Sequence, residues 1–96
     1  MIITREHAVK VLETERNHQD AVHPDGASVD KYLDIITKYA ERAKAAIRNP
    51  NDTEAYDSVM VNFRKIGAVS LRAIETWGAP MREITGYLGR APEKAD

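Results

Sequence analysis

The chain has 96 residues and no cysteine, which excludes disulfides, zinc–thiolate sites and thiol nucleophiles and fits a reducing compartment. Long apolar runs are missing as well. Unbroken stretches reach two or three residues, against the roughly 20 that cross a bilayer. The opening "MIITREHAVK" sets charges where a signal peptide needs its apolar stretch. Nor is there an excess of charge: a net −1 argues against a protein that coats nucleic acid. Aromatic bulk is thin, with one Phe, one Trp and four Tyr. The five glycines, Gly26, Gly67, Gly78, Gly86 and Gly89, form neither a P-loop nor a dinucleotide fingerprint. The few serines lack an adjacent nucleophile motif, which argues against covalent acyl transfer. What remains is an alanine-rich chain, expected to be one small helical domain over residues 1–96, soluble and cytoplasmic.

Three helices are legible. Thr4 is a suitable N-cap for a first helix over residues 4–20, with Glu6 in its first turn. Ala8, Val11 and Leu12 give it a narrow apolar stripe, and beyond Leu12 it reads as polar. Pro24, Asp25 and Gly26 mark a turn. Ser28 caps a second helix over residues 28–48. Its stripe is Val29, Leu33, Ile36, Ala40, Ala43 and Ile47, widened by Tyr32, Ile35, Tyr39 and Ala46. Pro50 breaks the chain, and Asn51 with Glu54 has capping-box spacing for a third helix over residues 52–77, stopped by Gly78 and Pro80. Its apolar face is Ala55, Tyr56, Val59, Met60, Phe63, Ile66, Gly67, Ser70, Ala73, Ile74 and Trp77. Pro80 can open a short helix through Thr85, and residues 86–96 read as a flexible tail.

The fold class is therefore all-α: an antiparallel hairpin of two long helices with a shorter N-terminal helix. The face of the third helix is broad enough for two partners. The bundle is accordingly expected to be completed by oligomerisation, as a homodimer or higher oligomer. Small Gly67 and Ser70 invite a close helix approach.

Three clusters are candidates for chemistry, each with a plainer alternative. Glu15 and His18 have the Glu-x-x-His spacing of helical metal sites, with His7 on the same side; without acids from facing helices they are a solvated face. Asp34 and Glu41 lie two turns apart and offer carboxylates to a cation, or else pair with Lys31, Lys38 and Arg42. Asn62, Lys65 and Arg72 flank the apolar face of the third helix, where Lys and Arg suit phosphate or simply snorkel. Trp77 reads as a core or interface residue rather than a base-stacking platform.

The segments "LETERNHQD", "VDKYLDIITKYAERAKAAI" and "VNFRKIGAVSLRAIETWGAP", over residues 11–82, resemble the small MazG-like proteins of phages and prophages, in the all-α nucleoside triphosphate pyrophosphohydrolase group. The likeness rests on helix lengths, the "ER…QD" element and "A-x-x-x-R-A-I-E" late in the last helix. It implies a helical oligomer that cleaves nucleoside triphosphates with magnesium held by E-E-x-x-E and E-x-x-D motifs. Those motifs fall here on Thr37, Lys38 and Glu41, and on Asn62 and Lys65. Glu41 alone keeps its acid, and magnesium needs hard oxygen ligands in a negative site. The expectation is a degenerate member without metal or cofactor. It would bind a nucleotide or phosphate through Lys38, Glu41, Asn62, Lys65 and Arg72. A structural or regulatory oligomeric module of phage or mobile-element origin is the alternative. A weakly active magnesium-dependent hydrolase built on Glu15, Asp34 and Glu41 is the second alternative.

Overall fold

The computed structural model describes residues 2–49, 51 and 53–82, and three α-helices make up its fold: α1 (Arg5–Val22), α2 (Val29–Arg48) and α3 (Ala55–Trp77). Two of the N-caps are those the sequence names. The Thr4 hydroxyl accepts from the backbone N–H of His7 at 3.1 Å, and the Ser28 hydroxyl accepts from that of Lys31 at 3.1 Å. The third differs. Glu54, not Asn51, is the cap residue of α3, and its side chain makes no capping bond. Asn51 instead donates its backbone N–H to the Asn49 side-chain oxygen at 3.0 Å, so the capping box does not form. Gly78 ends α3 at φ +79°, a backbone region that suits glycine. Residues 78–82 continue without helix; the expected short helix through Thr85 and the tail over 86–96 otherwise lie outside the described residues.

α2 and α3 are antiparallel. Near one end the buried Tyr32 hydroxyl meets the Thr76 hydroxyl at 3.0 Å, and the Trp77 indole N–H donates to the Ala27 carbonyl at 2.8 Å. Further along, the Lys65 ammonium stands over the Tyr39 ring. α1 packs on α3 and not on α2. α3 is therefore the shared wall, and its buried residues, Ala68 and Val69, are small.

The sequence stripe misplaces part of the core. Neither Ala68 nor Val69 belongs to the broad apolar face of the third helix, and much of that face stays exposed: Tyr56, Met60, Phe63, Ile74 and Trp77. The first helix departs from expectation too. Its polar half is not wholly solvated, because Glu15 and Gln19 are buried against α3. Glu15 accepts from the Arg64 guanidinium at 2.7 Å, and the Gln19 amide nitrogen donates to the Lys65 carbonyl at 3.3 Å. A bidentate pair joins Arg16 to Glu75, one of its bonds at 2.9 Å. That contact holds the Glu75 carboxyl below its ordinary range and lifts Arg16 further above its own. Gly67 gives an apolar contact, since a Cβ placed there would lie 2.5 Å from Cδ2 of Leu12. The close approach expected at Gly67 is thus made by α1.

Two outcomes follow from this packing. Gly67→Leu should push Leu12 off α3 and cost about 1–3 kcal/mol, the usual range for overpacking. Urea unfolding reads this directly, and Leu12→Ala in the same chain should restore part of the loss. For Glu75, a depressed value means stability that is full above its ordinary 4.5 and is lost as pH falls through the lower, folded-state value. The urea midpoint of the parent should therefore drop more between neutral pH and about pH 3 than that of Glu75→Gln, which has no carboxyl to protonate.

Candidate functional site

The structure distributes the sequence-derived candidates over separate surfaces. Glu15 faces α3 and is ion-paired with Arg64, while His18 and His7 on the same helix are exposed. Asp34 and Glu41 are exposed on α2, which does not touch α1. Glu15 therefore does not converge with them. Among the described residues no three His, Asp or Glu side chains are grouped as a metal site requires. Asn62 turns back on its own helix and donates to the Ser58 carbonyl at 2.8 Å.

Arg72 has a structural partner set. Its guanidinium donates to the His23 carbonyl at 2.5 Å and the Asp25 carbonyl at 3.5 Å, and lies 3.9 Å from the Asp20 carboxylate. It ties the α1–α2 loop to α3. Gly26 allows that loop to lie close, because a Cβ there would come within 3.3 Å of Thr76 Cγ2. Sequence spacing could place Arg72 beside Lys65 on one helix but carried no sign of the loop carbonyls it would meet.

Two of the five ligand candidates do come together. The Lys38 and Lys65 ammonium groups lie 5.9 and 5.5 Å from the centre of the Tyr39 ring, and Arg42 approaches the same ring at 5.7 Å. Cations over a ring face are attracted by its quadrupole. Three like charges around one ring also repel one another, and among the described residues no carboxylate lies within 4.0 Å of any of them. The sequence places Tyr39 in the widened apolar stripe of α2. The "K-Y-x-x-R" spacing on α2 brings Lys38 and Arg42 near the ring; the register against α3 brings Lys65.

Tyr39 also lines a cleft of about 340 Å³ on the side of α2 that faces α1. Lys31, Ile35 and Lys38 of α2 form one wall, Val69 and Arg72 of α3 the base, and Gln19, His23 and Asp25 the other side. Because Lys31 and Lys38 line this cleft, the apolar stripe of α2 turns the other way. Val29, Leu33 and Ile47 are exposed there, beside the uncovered arc of α3.

On α3 the positions Tyr56, Met60, Phe63, Gly67, Ser70, Ile74 and Trp77 follow one another at alternating spacings of four and three, the repeat of a helix–helix seam, which at Gly67 is covered by Leu12 of α1 and is exposed at the large side chains. Tyr56, Phe63 and Trp77 are 69%, 58% and 58% exposed. Comparison of the chain with protein-family models, with curated proteins and with solved structures gives no significant match.

Proposed function

We propose that this chain is a helical assembly module whose primary ligand is a second copy of itself, joined through the outer face of α2 and α3. One observation carries the reading: α3 turns its heaviest side chains outward and its small ones inward. Tyr56, Phe63, Ile74 and Trp77 are exposed while Ala68 and Val69 are buried. A chain that folded alone would gain more by the reverse arrangement.

The face favours its own copy as occupant. No residue of the α3 seam is charged, so it carries no charge pattern to select a foreign partner. A two-fold axis through an antiparallel hairpin places like seams together and gives a four-helix arrangement. The size is also adequate. Three aromatic rings at these exposures leave on the order of 350 Å² uncovered. Met60 and Ile74 of α3 and Val29, Leu33 and Ile47 of α2 extend the area toward the roughly 800 Å² per partner of a stable interface.

The degenerate MazG-like reading stands second, supported by the meeting of Lys38 and Lys65 over Tyr39. The hydrolase reading has less behind it. Glu15 is occupied by Arg64, and Asp34 and Glu41 lie on a helix that does not contact α1.

Sedimentation equilibrium at micromolar concentration is expected to show a dimer or higher oligomer. Phe63→Glu should weaken association by about 2 kcal/mol or more, the size of an interface hot spot, while keeping the helical circular dichroism. A parent chain that sediments as a stable monomer overturns the proposal. In parallel, nucleoside triphosphates with magnesium should release no pyrophosphate above the uncatalysed rate. Release that disappears in Glu41→Gln would restore the hydrolase.

A further inference from the structure

The outer flank of α2 carries an order of charges that a helix folding alone does not require. Val29, Leu33, Ile36, Ala40, Ala43 and Ile47 follow one another at alternating spacings of four and three, the repeat of a helix–helix seam. Val29, Leu33 and Ile47 are exposed, and the other three are half-buried. Asp30, Thr37 and Lys44 stand seven apart along the border of this seam, on the side away from Lys31 and Lys38 of the cleft. All three are exposed. Among the described residues neither Asp30 nor Lys44 has an ion-pair partner within 4.0 Å. The helix dipole accounts for Asp30 in the first turn and for Arg48 in the last. Lys44 stands a full turn further in, where the dipole has faded.

In an antiparallel pair of identical helices each flank meets itself in reversed order. One register uses every position of the α2 seam: Leu33 on Ala43 of the second copy, Ile36 on Ala40 and Val29 on Ile47. That register brings Asp30 within about 3 Å of the axial level of Lys44 of the second copy, at a rise of 1.5 Å per residue. Thr37 then meets Thr37 near the two-fold axis, so no like charges are opposed. A parallel pairing would turn the row towards Tyr32 and Tyr39, which α3 already occupies through Thr76 and Lys65. Stacking α2 on α3 of the second copy would set the row against a seam without charge. One axis also serves both helices. The Tyr32–Thr76 and Tyr39–Lys65 contacts place the middle of α2 within a turn of Ala68, the level about which Phe63 faces Ala73 of the second copy.

We infer that the second copy docks in a single orientation, α2 antiparallel on α2, with Asp30 of each copy paired to Lys44 of the other and Thr37 at the axis. The inference rests on the self-association proposed above and adds which helices meet, in which direction, and where assembly stops. A two-fold contact uses the same patch on both chains and therefore closes at a dimer. Pairs as exposed as these add little attraction. Their role is selection: the row matches its own reversed copy and places like charges together in a shifted or inverted partner.

Sedimentation equilibrium of the full chain at low salt compares the parent with Asp30→Lys, with Lys44→Asp and with an equimolar mixture of the two variants. Each variant alone sets like charges together at both ends of the contact and should self-associate about tenfold more weakly than the parent. The mixture restores both pairs in the inverted sense and should associate about as tightly as the parent. Circular dichroism of each variant reports that its helices are kept. Because the chain has no cysteine, Arg48→Cys takes a single spin label per copy. Double electron–electron resonance should then place the two labels about 30 Å or more apart, the axial offset of this register. A parent that sediments as a monomer removes the self-association reading and this inference with it. An associating parent matched by both charge variants, or a mixture no tighter than its components, overturns the orientation alone. So do labels within about 20 Å of each other, the result of a parallel pairing or of α2 on α3. A parent that assembles beyond the dimer overturns the closure.

Discussion

Everything in this fold depends on α3 being narrow where it is covered. α1 and α2 both pack on this one helix and not on each other. Side chains as small as Ala68 and Val69 let two neighbours approach without forcing them apart. Bulky residues at these positions would hold the neighbours off, and the space between α1 and α2 would no longer have a defined floor. Because the inner surface is small, the aromatic side chains are displaced to the arc that neither neighbour covers. The exposed seam and the cleft are thus two results of the same packing choice.

The attachment of α1 shows how a polar helix can serve as a wall. Leu12 against Gly67 is an apolar contact of this attachment. Three polar contacts add to it: Arg64 on Glu15, Lys65 carbonyl on Gln19, and Arg16 on Glu75. Such contacts contribute modestly to net stability but are directional. They fix the rotation of α1 about its own axis, and that rotation is what sets Gln19 against the cleft. The Arg72 clamp on the loop carbonyls fixes the end of the same helix.

Local signals in the sequence hold better than long-range ones, although the Asn51–Glu54 capping box fails. Thr4, Ser28 and Gly78 mark helix ends through bonds and dihedral preferences that span a few residues, and all three act as read. The antiparallel relation of α2 and α3 follows from a short connection. Which arc of α3 would be inside was not legible. Apolar bulk argued for the stripe through Tyr56, Phe63 and Trp77, whereas contact with two helices selected the slimmer one through Ala68 and Val69. The half of the first helix beyond Leu12, which holds Glu15 and Gln19, reads only as polar because the partners of these two, Arg64 and the Lys65 carbonyl, are more than 40 positions away. Lys38 and Lys65 stand where the resemblance puts metal-ligand motifs, and the sequence offers them as phosphate contacts. They meet at Tyr39, whose part depended on a register that no spacing within one helix reveals.

The separation of α1 from α2 has an energetic consequence. Two elements that share a wall but no contacts exchange free energy through that wall alone. Effects of substitutions in the α1–α3 contact and in the α2–α3 contact should therefore sum whenever α3 keeps its position. The coupling that remains is concentrated where a residue serves both sides at once. Arg72, which holds the loop leaving α1 and forms the base of the cleft against α2, is the position at which a double-mutant cycle would find it.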